Sequence, residues 1–305
     1  MGGFLEVVLG GLLTGVLYSL GALGFVLIFK ASGVFNFAQG AMVLFAALSM
    51  ARLQEWIAPS LGWVAFPVAL VLTAGIMTLL AFAIERLVLR QLINQEGIIL
   101  FMATIGVTFF LDGFGQTIWG SDIYKIDLFL AKDPIFIFES VFPGGLLLDP
   151  YELMAALIAG ILVLVLAIFF QTTRIGRALR AVADDHQAAQ SVGIPLNYIW
   201  LIVWTVAGLV ALVAGMMWGA KLGVQFSLTL VALKALPVLI LGGFTSVPGA
   251  IVGGLIIGAG EKVAEVYVGS MIGGGIENWF AYVLALAFLL FRPQGLFGER
   301  IIERV

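Results

Sequence analysis

The chain has no cysteine, a single histidine (His186), and charge on only 11% of its 305 residues. Without cysteine there can be no disulfide, iron–sulfur or cysteine-ligated zinc site. One histidine by itself builds neither a metal centre nor a proton relay. None of the six lysines is followed by serine or threonine, so the phosphate-binding pattern G-x-x-x-x-G-K-[ST] is missing and the chain carries no ATP site of that kind. There is no basic face for nucleic acid and no visible nucleophile–base constellation. The expectation is a non-enzyme with no catalytic residues, no metal and no cofactor. The opening MGGFLEVVLGGLL lacks the basic leader and small-residue cleavage site of a signal peptide, so its apolar run is expected to stay as the first span.

What remains is apolar: 62% hydrophobic residues with 38 glycines, and a mean hydropathy of +1.14. Such a chain belongs in a bilayer. Runs long enough to cross about 30 Å of hydrocarbon at about 1.5 Å per residue fall near Leu5–Phe29, Phe37–Leu53, Trp63–Leu87, Gly97–Trp119, Glu152–Gln171, Tyr198–Gly219, Phe226–Gly243, Pro248–Val268 and Glu277–Phe291. The fold class is therefore an all-α polytopic membrane protein with about nine transmembrane helices. The second run is short, and only GFTSVP joins the seventh to the eighth, so some of these are expected to be broken or re-entrant.

Lysine and arginine are retained on the cytoplasmic side. Alternating loops give one side Lys30, Arg86, Arg90, Arg174, Arg177, Arg180, Arg292, Arg300 and Arg304, against Arg52, Lys125, Lys132 and Lys221 on the other. This bias places the N-terminus outside and the C-terminus inside. The long outer loop, 120–150, carries Asp122, Asp127, Asp133, Glu139 and Asp149 with strand-like patches YKIDLFL and IFIFESVF. It is expected to form a small hairpin cap, either a lid or a docking surface for an outside protein.

On the inner side lies the most polar stretch, RALRAVADDHQAAQSVGIP (Arg177–Pro195). Asp184 is placed to cap a short helix with Gln187 returning the bond. Gly193 fits the left-handed C-terminal position and Pro195 forbids continuation. The expected helix runs from about Asp185 to Val192, with Ala188, Ala189 and Val192 as a small apolar face. That face suits a groove on another protein; the plainer alternative is a polar connector whose arginines only enforce topology.

Within the spans, GAIVGGLIIGAG spaces Gly249, Gly253 and Gly260, or Gly254 and Gly258, for close helix contact. NFAQG sets Asn36 and Gln39 where one span gives way to the next, which suits either contact with a polar solute or plain turn chemistry. Thr104, Thr108 and Asp112 share a helix face at i, i+4 and i+8, a candidate wall of a translocation path. Lys234 and Glu261 lie on neighbouring runs and are expected to neutralise each other.

The stretches GLLTGVLYSLGALGFVLIFKASGVFNFAQGA (Gly11–Ala41), ATIGV (Ala103–Val107), TRIGRALRAVADDHQAAQSVGI (Thr173–Ile194), KALPVLILGGFTSVPGAIVGGLIIGAGE (Lys234–Glu261) and FRPQGLFG (Phe291–Gly298) resemble, in order, the LivH-type permeases of branched-chain amino-acid ABC transporters. The chain departs from that pattern at Gln39, where histidine is common, and at Thr245, where glycine is frequent. Glutamine keeps the hydrogen bonds but cannot titrate. The resemblance implies a single transmembrane permease domain over 1–305 in a bacterial inner membrane, with a periplasmic loop at 120–150 and a cytoplasmic coupling loop at 172–197. It also implies a second homologous permease subunit, two cytoplasmic ATPase subunits and an external solute-binding protein as partners, within membrane lipid. Asp184, Asp185, Gln187, Ala188, Ala189, Val192 and Gly193 would then meet an ATPase, and Asn36, Gln39, Thr104, Thr108 and Asp112 would line the path. The alternative from composition alone is an ion-coupled secondary transporter or channel, which needs carboxylates at a midplane site.

Overall fold

A computed structural model describes residues 2–93, 95–129, 135–137 and 145–298. Lys132, Asp133, Glu139, Arg300 and Arg304 lie outside the described residues, as does the side chain of His186. The helices are α1 (Gly2–Ser32), α2 (Gln39–Leu61), α3 (Ala65–Leu87), α4 (Gly97–Trp119), α5 (Pro150–Thr172), α6 (Arg174–Asp184), α7 (His186–Ser191), α8 (Leu196–Leu222), α9 (Ser227–Leu233), α10 (Ala235–Gly242), α11 (Val247–Ala264), α12 (Ser270–Ile272) and α13 (Phe280–Phe291). The architecture is all-α and polytopic.

Six helical stretches among the described residues are long and apolar enough to cross a membrane. One of them, Gln39–Leu92, has 54 residues, about 80 Å of helix against about 30 Å of hydrocarbon. It therefore has to turn back. It does so at Gly62, whose φ of 55° ends α2 before a 3-10 turn, Gly62–Val64, leads into α3. Helices α2 and α3 then pack on one another. The shorter apolar segments are Ser227–Gly242 and Phe280–Phe291. The first is interrupted at Lys234. Pro237 cannot donate to the carbonyl four residues back, and its ring crowds that carbonyl, so the helix begun at Ser227 stops at Leu233.

In the outer loop a short hairpin is present, with one strand from the IFIFESVF patch. Strand β1 (Ile135–Ile137) pairs antiparallel with β2 (Leu146–Leu148), Phe136 opposite Leu147. The YKIDLFL patch is not its mate: Tyr124 forms an isolated bridge with Val224, following α8. Alternating apolar residues mark both segments as extended, but pairing is decided by what each one meets.

The chain divides into two compact units. The first comprises 1–22, 129–164 and 234–305. Here α1 lies against α11 through glycine on both sides. A Cβ at Gly11 would meet the backbone of Gly258 and Ala259 at 2.7 Å, and one at Gly15 would meet Leu255 Cα at 2.9 Å. The other glycine face of α11 meets α10, where a Cβ at Gly253 would stand 2.6 Å from the Val238 carbonyl oxygen. Gly254 and Gly258 are thus used against α1 and Gly249 and Gly253 against α10, whereas Gly260, expected with the latter two, meets the Phe280 ring of α13. Ser246 caps α11 by accepting from the Gly249 N–H at 3.0 Å, and Pro248 occupies the first turn, where no donor is needed.

The second unit comprises 23–128 and 165–233. Helix α2 is its centre, touching α3, α4, α8 and α9. Gly215 of α8 admits α2 closely enough that a Cβ would stand 2.6 Å from the Val43 carbonyl oxygen.

These contacts set a differential expectation. Gly258→Leu should lower the melting temperature and yield of purified protein, since overpacking costs about 1–3 kcal/mol or more. Gly106→Leu, in open space on α4, should leave both near wild type. Equal effects in a thermal melt would refute the assignment of Gly258 to a tight crossing.

Candidate functional site

Three of the polar residues singled out within the spans, Asn36, Gln39 and Thr104 of α4, meet at the start of α2. After α1 ends, the chain has no regular structure at 35–36 and enters α2 with no side-chain cap from Ala38. The exposed donors of such a helix start need partners. Asn36 Oδ1 accepts from the Ala38 N–H at 3.1 Å, and Thr104 Oγ1 of α4 accepts from the Phe37 N–H at 3.1 Å while donating to the Phe101 carbonyl at 2.8 Å. Gln39 Nε2 donates to the Ala207 carbonyl of α8 at 3.3 Å. Room for Gln39 is made by Gly24, where any Cβ would collide with the amide. Asn36 and Gln39 are fully buried. Asn36 Nδ2 and Gln39 Oε1 have no hydrogen-bond partner among the described residues.

Thr104 therefore joins the α1–α2 break, which sequence spacing did not foretell. Thr108 donates to the Thr104 carbonyl at 2.8 Å. Both threonines of the face taken as a candidate wall are buried against neighbouring helices. The hydroxyls satisfy backbone and are not left free. Asp112, two turns further on, is half-buried with Oδ1 unpartnered among the described residues. Gly24 and Ala207, which seat Gln39, were missed; the only sequence trace is the small residue at each place.

Elsewhere, Lys234 and Glu261 pair as expected, Nζ to Oε1 at 2.7 Å. Tyr18 donates to the same Glu261 oxygen at 3.3 Å, and Lys234 also donates to the Glu277 carbonyl at 3.3 Å. The pair neutralises the charge, while Glu261 Oε2 is buried without a partner among the described residues, and it ties Lys234, which precedes α10, to α11 and α1.

The polar loop needs three corrections. First, it holds two helices, because α6 precedes the expected one. Gly176, Leu179 and Val182 form its buried stripe at threefold spacing, between arginines that had been assigned only to topology. Second, the cap is Asp185 and not Asp184. Asp184 is still helical, whereas Asp185 is extended (φ −158°, ψ 113°), and its Oδ1 accepts from Gln187 N–H at 2.8 Å and Ala188 N–H at 3.0 Å. An N-cap must leave the helical region to accept such bonds. Third, the apolar face is split. Ala188 is exposed and Val192 is 76% exposed, but Ala189 is 2% exposed and belongs to the chain's own packing. The C-terminal end is as expected: Gly193 has φ 86°, its N–H bonds the Gln190 carbonyl at 3.0 Å, and Ile194 N–H bonds the Ala189 carbonyl at 3.0 Å. These two bonds make a Schellman motif.

The profile of the family described as "Branched-chain amino acid transport system / permease component" matches residues 7–292. The chain belongs to this family. Similar proteins cover nearly its whole length. The high-affinity branched-chain amino acid transport system permease protein BraD of Pseudomonas aeruginosa is 28% identical, over 99% of this chain and 98% of its own. The corresponding permease protein LivH of Escherichia coli K12 is 26% identical over the same shares. A probable branched-chain amino acid transport permease protein LivH of Methanocaldococcus jannaschii is 27% identical over 95% of this chain and 91% of its own. The permease is thus a multi-pass membrane protein of the transport class, as its helices require.

The bond from Phe37 to Thr104 can be tested directly. Thr104→Val keeps the volume but strands a buried N–H, at about 1–3 kcal/mol. The purified permease should melt at lower temperature, and Thr104→Ser should restore it. A wild-type melt for the valine variant would show that the bond contributes nothing.

Proposed function

We propose that this permease is a membrane subunit of an ATP-driven importer that carries branched-chain amino acids or similar small polar solutes inward. ATP is hydrolysed by two separate cytoplasmic subunits. A second homologous permease completes the membrane part, and an external binding protein delivers the solute. Support comes first from the family match over 7–292. It comes also from α7, a short, doubly capped helix in the arginine-rich loop that presents Ala188 and Val192 outward. A chain with no phosphate-binding loop of its own has to receive its driving force through such a surface. In this scheme 1–305 acts as one permease domain in the inner membrane. The broken segments bring the crossings to about nine, with the N-terminus outside and 172–197 inside. Asn36, Gln39, Thr104, Thr108 and Asp112 border the path, closed here, and Asp185, Gln187, Ala188, Val192 and Gly193 form or shape the ATPase seat.

The seat is tested at an exposed position. Ala188→Arg should leave the permease inserted and paired but abolish ATPase co-purification and solute uptake, because an unpaired charge driven into an apolar groove costs several kcal/mol even after relaxation. Normal uptake by Ala188→Arg vesicles would reject the seat. Ala189→Arg is the contrasting variant: its site lies inside the chain, so it should lower the amount of permease itself.

Orientation is tested by labelling, which the absence of cysteine makes clean. In intact cells Gln187→Cys should resist a membrane-impermeant thiol reagent, and Asp127→Cys should react. The reverse pattern would overturn both the orientation and the seat.

A further inference from the structure

The corner where α5 meets α6 is built more tightly than a connector needs. Thr173 sits between the two helices and serves both, donating to the Phe169 carbonyl at 2.6 Å and accepting from the Gly176 N–H at 3.0 Å. Gly176 lies directly on the last turn of α5, where a Cβ would overlap the backbone of Phe170. One turn further along α6, on the same face, the half-buried Arg180 reaches back and donates to the Phe170 carbonyl, with a longer bond to Gln171. Arg177 donates to the Thr172 carbonyl at 3.3 Å. The last carbonyls of α5, which have no partners within their own helix, are thereby held by cations at the end of the dipole that favours them. Helix α7 is fixed to α6 in turn, since the two pack together and Ala189 is buried.

We propose that this corner, 169–180, is a rigid elbow that delivers displacement of α7 to α5, with Gly176 and Arg180 as positioning residues. The inference rests on the seating of an ATPase at α7. A hinge of flexible chain would absorb a push. An elbow whose last α5 carbonyls are each engaged by the next helix or its cap has few soft dihedrals and moves as a body. The plain alternative is that the arginines only cap α5 and add stability.

The test uses the full transporter, reconstituted with its partner subunits, and variants Arg180→Ala, Arg180→Lys and Gly176→Ala. The last attacks the same corner by sterics alone. In Arg180→Ala the ATPases should still co-purify, while ATP hydrolysed per solute imported rises about tenfold, within the usual range of coupling effects. Lysine keeps the charge but loses the fork and should fall between. A spin label at Gln190→Cys, exposed on α7, should become more mobile in Arg180→Ala and Gly176→Ala. An unchanged ratio and an unchanged label would overturn the elbow. If a variant reduces assembly, ratio and label are read on the complex that remains, and wild-type values there would also overturn it. Failure of the wild-type chain to bind an ATPase would count against the seat instead, and the label alone would then decide the elbow.

Discussion

Hydrocarbon offers no hydrogen bonds, so a chain that spans it must satisfy its polar groups from within. That constraint accounts for much of this permease. Ser19, Ser32, Ser49, Thr73, Thr78, Thr108, Thr117 and Thr172 each donate to the carbonyl four residues back on their own helix. Most of them ask nothing of other helices, though Ser19 also reaches the Ile251 carbonyl and Thr73 the Met50 sulfur. Thr104 breaks the pattern: it reaches only three residues back and keeps its acceptor for Phe37. The exception falls where a helix start inside the apolar region leaves donors exposed. The same constraint places Tyr18 and Lys234 on Glu261. At the α1–α2 break a side chain supplies what the backbone lacks, whereas the turn at Gly62 is closed by backbone alone.

Close packing is the second device. Between apolar helices in lipid there is little hydrophobic gain, and contact depends on how near the backbones come. Helix α11 shows this on two sides, with Gly254 and Gly258 against α1 and Gly249 and Gly253 against α10. Glycine here provides approach; none of these four has a left-handed backbone. Gly193 and Gly62 are used for the opposite property, the left-handed turn that ends a helix.

Whatever depends on composition and short-range spacing was legible in the sequence: the membrane class, the apolar helices, both glycine ridges apart from Gly260, the Lys234–Glu261 pair and the stop at Gly193. The misreadings share a cause. Asp184 and Asp185 are chemically equivalent caps, and the choice between them is made by where α6 ends. That helix was hidden because arginines at 174, 177 and 180 announced topology so loudly that the Gly176, Leu179 and Val182 stripe between them was overlooked. Once α6 is present, Ala189 is buried against the chain instead of facing outward. The Ile135–Ile137 strand likewise took its partner from tertiary position, since several nearby segments were equally extended. Local pattern identified the elements, and long-range packing chose their ends, faces and mates.

Some polar atoms of the second unit are buried without a hydrogen-bond partner among the described residues: Arg52 Nε, Gln54 Oε1, Glu85 Oε1 and Trp119 Nε1. Four more are Asn36 Nδ2, Gln39 Oε1, Thr229 Oγ1 and Asp112 Oδ1; of this second group, most lie at helix starts. Three of them belong to two helix starts that meet: Asn36 and Gln39 lead into α2, and Thr229 opens α9, whose backbone a Cβ at Gly40 would touch at 3.0 Å. An unsatisfied buried polar atom costs about 1–3 kcal/mol, so the closed arrangement carries a penalty that any water-admitting arrangement relieves. Satisfied groups such as Thr108 carry none and have no reason to move. On the proposed path, water admitted to these amides would relieve that penalty while apolar packing around α2 would resist the opening, and a push from outside would act on that difference.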